Sequence, residues 1–225
     1  MSFFATEIVD EEWGNYFELT GAGYTVLVLV MIAILLAGCF IGNAKGKRKF
    51  NTRQLVFSAA AMALAMVTSM IKLFELPMGG AVTLCSMLFI CLIGYWYGLS
   101  GGLLAAIAYG FLQLIVDPYI ISIPQMFTDY IFAFGALGLS GLFSKKKHGL
   151  LLGYLMGAFL RFVFAFLSGM IFFGGYAVGY DMTAFGYSVM YNGSYIGAEA
   201  LITVIILMLP PVSKGLERVR NLAQQ

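Results

Sequence analysis

Apolar residues run through this chain in long unbroken blocks, interrupted by glycine, proline or charge rather than alternating with polar positions. A helix needs roughly 20 consecutive apolar residues to cross a bilayer core, because its backbone groups must be paired internally where no water can reach them. Read this way, the blocks predict spans near 22–42, 54–73, 82–98, 100–116, 121–143, 149–173 and 186–210. The fold class is an all-α membrane protein. The first span is almost purely aliphatic from Val26 to Leu36 and is joined to the rest by the basic linker Lys45–Arg53. The pattern therefore divides the chain into residues 1–50, an acidic segment with one extra membrane helix and its linker, and residues 51–225, a six-helix membrane domain.

Charge adds direction to that count. Lys45, Lys47, Arg48, Lys49 and Arg53 follow the first span, Lys145, Lys146 and Lys147 follow the fifth, and Lys214, Arg218 and Arg220 follow the last. With seven spans all three clusters fall on one side, and Lys and Arg mark the cytoplasmic side of short loops. Glu7, Asp10, Glu11, Glu12, Glu18, Glu75, Asp117 and Asp181 fall on the other. The expected placement is multi-pass in the plasma membrane, with the N-terminus outside and the C-terminus in the cytoplasm. Residues 1–18 have the wrong sign for the n-region of a secretory signal, so the first span is expected to be retained.

Composition agrees: 61% of the 225 residues are hydrophobic and 11% charged, too few charges to solvate a globule of this size. Nothing in the balance suggests a nucleic-acid partner. Cys39, Cys85 and Cys91 lie inside apolar runs without metal-ligand spacing, so neither a disulfide framework nor a metal site is expected. The single histidine, His148, sits in a basic loop, no serine or cysteine has a histidine base in plausible reach, and no G-x-x-x-x-G-K-[ST] phosphate loop is present. The expectation is a protein that is not an enzyme and needs no cofactor.

Polar groups at membrane depth are costly, which makes each a functional candidate. Asp129 lies inside the fifth span with Gln125 one helical turn before it and Tyr130 after it. A competing structural reading pairs Asp129 with Arg161 or has it cap a helix broken after Pro124. In the seventh span Tyr187, Tyr191 and Tyr195 recur every four residues on one face, beside Asn192. Glycines and aromatics of the 174–186 loop precede them. A carboxylate, an amide and many aromatic faces together suit an organic cation with an aromatic body, since ring quadrupoles attract the cation and the carboxylate offsets its desolvation. Arg161 and Glu199, nearer mid-span, are expected to form a buried ion pair. In the second span Ala59-x-x-x-Ala63 makes a small-residue face of the kind that permits close helix approach in lipid.

Several ordered segments resemble the thiamine-specific S components, the substrate-binding subunits of energy-coupling factor transporters. They are Leu76-Pro-Met-Gly-Gly-Ala-Val-Thr83 with Ser86, Gln125-x-x-x-Asp129-Tyr130 running to Ala133-Phe134 and Leu139-Ser-Gly-Leu-Phe143, Ser168-Gly169, and Tyr187-Ser188 with Tyr191-Asn192. The resemblance covers about residues 51–212 and implies a six-helix S-component-like bundle with the first span as an addition. It implies capture of thiamine or a related small heteroaromatic cation from outside. The implied partners are a transmembrane coupling subunit and two ATPase subunits, which drive uptake. Carried over by position, it implies a ligand site at Asp129, Tyr130, Gly169, Phe173, Tyr187 and Asn192, and a docking face for the coupling subunit at Ala59 and Ala63. Two positions depart from the family pattern: Ala165 stands where a pocket histidine is usual, and Phe173 where some members have a stacking tryptophan. The alternatives are an S component for a different vitamin or precursor, and a self-sufficient secondary carrier, for which internal repeats and discontinuous helices would be expected.

Overall fold

The computed structural model describes residues 51–225 continuously, together with 5–8, 16–23, 25, 26 and 29. The expected first span, 22–42, lies outside the described residues apart from these few positions. Near the N-terminus, β1 (Ala5–Ile8) and β2 (Tyr16–Leu19) pair antiparallel, with Ala5 opposite Leu19 and Ile8 opposite Tyr16. Among the described residues, five helices are long and apolar enough to cross a membrane.

The first of these, α1 (Thr52–Met70), starts where Asn51 Oδ1 accepts from the Arg53 backbone N–H at 3.3 Å, a side-chain cap for an otherwise orphaned donor. It ends three residues before the expected boundary, because Lys72–Glu75 (β3) turns back to pair with Ala81–Thr83 (β4). The turn between them is Pro77-Met78-Gly79-Gly80, in which Gly79 takes φ +96°, a left-handed conformation open chiefly to glycine. A β-hairpin thus occupies the stretch that hydrophobicity assigns to the ends of two membrane helices.

The next element, α2 (Ser86–Val116), contains both expected spans 82–98 and 100–116, separated at Gly98 with φ 80° and ψ −174°. In a straight helix residues eight apart are separated by about 12 Å. Here a Cβ on Gly102 would lie 2.7 Å from the Gly94 Cα. The chain therefore reverses at Gly98, and the element is a helical hairpin. The six segments of the 51–225 domain follow from five helices and this fold-back. The first arm, 86–97, reaches about 18 Å at helical rise, short of a bilayer core of about 30 Å.

Against the second arm runs α3 (Ile123–Phe143), capped by Ser122 and carrying Pro124 in its first turn. Its hydrogen bonding changes along its length: π over Phe127–Phe132, α over Ala133–Gly135, and 3₁₀ over Ala136–Phe143. Glycines permit the tight approach. A Cβ on Gly138 would sit 2.5 Å from Gly102 O, and one on Gly141 2.5 Å from Leu99 N. Helix α4 (Gly149–Phe172) and a 3₁₀ turn, Gly174–Tyr180, lead to α5 (Ala184–Met208), whose N-cap Thr183 accepts from Gly186 N at 3.1 Å.

An element the hydrophobic runs do not predict follows: α6 (Pro210–Gln224), a polar amphipathic helix. Its Arg220 donates to Tyr95 Oη and Ser144 O, both at 2.7 Å, and Gln224 Nε2 donates to Trp96 O at 2.6 Å. The Arg53 guanidinium lies 3.5 Å from Leu222 O. The start of α1, the Gly98 turn, the exposed Lys145–Lys147 turn and α6 thus meet at one end of the bundle, which gathers the described basic clusters. The β3–β4 hairpin, Asp117 and the 174–180 turn lie at the other.

Candidate ligand-binding site

At that second end the helices line a cavity of about 610 Å³, within the range of small-molecule sites. All six residues singled out as ligand contacts, Asp129, Tyr130, Gly169, Phe173, Tyr187 and Asn192, line it. The hairpin contributes Met78 and Gly79, and α2 with its following loop contributes Gln113, Asp117 and Tyr119.

The carboxylate stands in the π-helical stretch of α3, a widened turn frequently found at functional sites. Asp129 Oδ2 accepts from Gln125 Nε2 at 2.7 Å, while Gln125, 1% exposed, also donates to Tyr119 O at 3.1 Å and accepts from Ile121 N at 3.2 Å. The amide orients Asp129 without neutralising it. Neither arrangement of the competing structural reading occurs: no Lys, Arg or His lies within 4 Å of Asp129 among the described residues, and the helix continues past Pro124 with Asp129 inside it rather than at a cap.

Tyr130 presents its ring to the cavity, but its hydroxyl is committed. It donates to Asp117 O at 2.8 Å and accepts from Tyr119 N at 2.9 Å, pinning the loop after α2. The approach that allows this depends on Gly110, where a Cβ would collide with Tyr130 O and lie 3.0 Å from its carbonyl carbon. Gly169 acts in a similar way. A Cβ there would be 2.9 Å from Asn192 Nδ2 and nearer still to Ser188 Oγ, so its absence brings α5 against α4. Asn192 Nδ2 donates to Ala165 O and Ser188 O, both at 3.1 Å, and Oδ1 accepts from Tyr195 Oη at 3.2 Å. The amide thus finds backbone partners, and one lone pair of Oδ1 remains for a ligand.

Aromatic faces supply much of the remaining wall. Tyr187 and Tyr191 stack with centroids 5.8 Å apart, Tyr195 meets Tyr191 edge-on at 5.6 Å, and Phe173 stacks on Tyr119 at 5.9 Å. Tyr119 and Tyr176 join through their hydroxyls at 3.0 Å.

The expected Arg161–Glu199 ion pair does not form. The Arg161 guanidinium faces the cavity over the Phe134 ring, 4.3 Å from its centroid, with no carboxylate within 4 Å among the described residues. Glu199 lies below the cavity and accepts instead from the start of α2. Similar depth along two helices suggested the pairing, but depth does not say which face each side chain occupies. The cavity therefore holds both a carboxylate and a guanidinium. Sequence reasoning missed Arg161, Gln113, Tyr119 and Met78 as lining residues; an intramembrane arginine was itself the available signal for the first.

A helical membrane bundle with an aromatic-walled, charged cavity at one end defines an integral-membrane substrate-binding protein. Residues 55–217 match the family model described as thiamine transporter protein (Thia_YuaJ). Thiamine transporter ThiT of Bacillus subtilis (strain 168) is 32% identical over 168 residues, which are 68% of this chain and 85% of that protein. A solved structure of ThiT from Listeria monocytogenes superposes with a TM-score of 0.62 at 24% identity, covering 76% of this chain and 96% of that one, a likeness of fold. The chain belongs to the thiamine transporter family, the thiamine-specific S components, and is a multi-pass transport protein rather than an enzyme.

Proposed function

We propose that the cavity binds thiamine, presented from outside the cell, with Asp129 as the charge complement to the thiazolium. The observation that carries this reading is Asp129 itself, lining a cavity shared with Tyr187, Tyr191 and Tyr195 and free of any cationic partner within 4 Å among the described residues. A desolvated carboxylate favours a bound cation, and the tyrosine faces add cation–π attraction and stacking area. Tyr130, Gly169, Phe173 and Asn192 complete the proposed contact set, the first and last also bracing the wall through hydrogen bonds. The cavity end is assigned to the exterior because the basic clusters gather at the opposite end; with the C-terminus on that cytoplasmic side and a seventh span over 22–42, the N-terminus would be outside.

Delivery requires partners. Ala59 and Ala63 are exposed on α1, whereas Ala61 and Ala65 on the same helix are 3% and 0% exposed in the core. A small-residue stripe facing out of the bundle suits close packing against a helix of a transmembrane coupling subunit, which carries two ATPases. Ala165, lining the cavity one helical turn from Arg161, favours a second reading in which a related pyrimidine or thiazole precursor is the ligand instead. Mass spectrometry of small molecules released from the purified protein tests both. Thiamine in the released fraction supports the first reading, a different heteroaromatic compound with no thiamine the second, and no heteroaromatic compound after growth in thiamine would contradict both.

A further inference from the structure

Glu199 is 3% exposed, deep in α5, and has no cation within 4 Å among the described residues. A buried carboxylate without partners is strongly unfavourable, and its partners here are all donors from one short stretch of chain. Oε2 accepts from Thr83 Oγ1 at 2.6 Å, and Oε1 accepts from Ser86 Oγ and from the Met87 backbone N–H, both at 3.1 Å. Thr83 is the last residue of β4, whereas Ser86 and Met87 open α2. Between them Cys85 takes φ 55°, a left-handed conformation that costs a non-glycine residue energy and persists only where the surroundings impose it. The carboxylate grips both sides of that turn.

What the turn positions is a wall of the cavity. The β3–β4 hairpin carries Met78 and Gly79 into the lining, and Gly80 lies so close to α5 that a Cβ there would be 2.8 Å from Tyr195 Cδ1. Asn192, Tyr195 and Glu199 follow one another at helical spacing along a single face of α5, so the helix that lines the cavity also grips the base of the hairpin. The one ion pair of the hairpin, Lys72 Nζ to Glu75 Oε1 at 2.9 Å, is exposed on both sides and adds little. We propose that Glu199 is a positioning residue whose carboxylate clamps the Thr83–Met87 turn and so holds the hairpin wall against the ligand. The assignment rests on the cavity being the ligand site.

The clamp predicts a kinetic signature, tested on the full chain purified in detergent, with Cys39→Ser and a spin label at Lys72→Cys. Glu199→Ala is expected to speed thiamine dissociation tenfold or more, to change association less than threefold, and to raise label mobility in the absence of thiamine. Glu199→Gln, whose amide oxygen still accepts, should recover most of the loss. Thr83→Val should give a smaller effect and add nothing to Glu199→Ala. Unchanged dissociation and unchanged mobility in a folded Glu199→Ala protein would overturn the clamp. Should that variant not fold, Thr83→Val with wild-type dissociation and mobility would overturn it equally. A wild-type protein that fails to bind thiamine counts against the ligand assignment, while label mobility still tests the clamp.

Discussion

Gly94 and Gly102 touch across the Gly98 turn: a Cβ on Gly102 would lie 2.7 Å from the Gly94 Cα and 2.6 Å from Gly138 O. Three segments of the bundle converge there, so side-chain volume at this point must push at least one of them away. Gly102→Val should destabilise the protein by about 1–3 kcal/mol through overpacking, read as a lower melting temperature in detergent. Gly175→Ala is the control, since nothing lies within 4 Å of a Cβ there, and it should melt as wild type does.

Docking and binding should separate. Ala63 is exposed on α1 and does not line the cavity, so Ala63→Trp should abolish thiamine uptake by whole cells while leaving the affinity of the purified protein within about twofold. Wild-type uptake by that variant would refute the docking face.

Tyr130→Phe removes one hydroxyl and with it the bonds to Asp117 O and Tyr119 N. The ring remains as a wall. Two neutral hydrogen bonds contribute roughly 1–3 kcal/mol together, spent on ordering the loop rather than on touching the ligand. The variant is expected to lose thermal stability and at most about fivefold in thiamine affinity, as measured by melting and by calorimetry.

Arg161 carries the ligand's own sign of charge into the cavity. Arg161→Met should therefore raise affinity for a cation, by roughly tenfold if the two charges lie near 10 Å apart at an effective dielectric constant of about 20. Calorimetric titration decides the sign, and a loss of affinity would instead mean that Arg161 donates to an acceptor on the ligand.

Much of this architecture was legible in the apolar runs, because glycines and charges break them where the chain emerges or reverses. The pair of spans divided near Gly98 is one such case. The β3–β4 hairpin was not legible, since Leu73, Phe74 and Val82 read equally well as continuations of neighbouring helices. The α6 helix was hidden by a search for long hydrophobic stretches, although Pro210 and Pro211 at its start and Val212, Leu216, Val219 and Ala223 at helical spacing are signals a shorter window reads. At the site, the Tyr187–Tyr191–Tyr195 face and the depth of Asp129 followed from helical periodicity. The facing of Arg161 and Glu199 did not, because each was settled by a tertiary neighbour, the Phe134 ring for one and the start of α2 for the other.

The charge assignment at Asp129 is the claim on which the ligand reading depends. Trp96 packs against Phe57 at the basic end and does not line the cavity, so calorimetry is a more direct probe than tryptophan fluorescence. Titration of purified wild type and Asp129→Asn with thiamine should show the substitution weakening binding by roughly tenfold to a hundredfold, about 1.5–3 kcal/mol for a charge-assisted contact, with little change in melting temperature. Equal affinities in two well-folded proteins would contradict it.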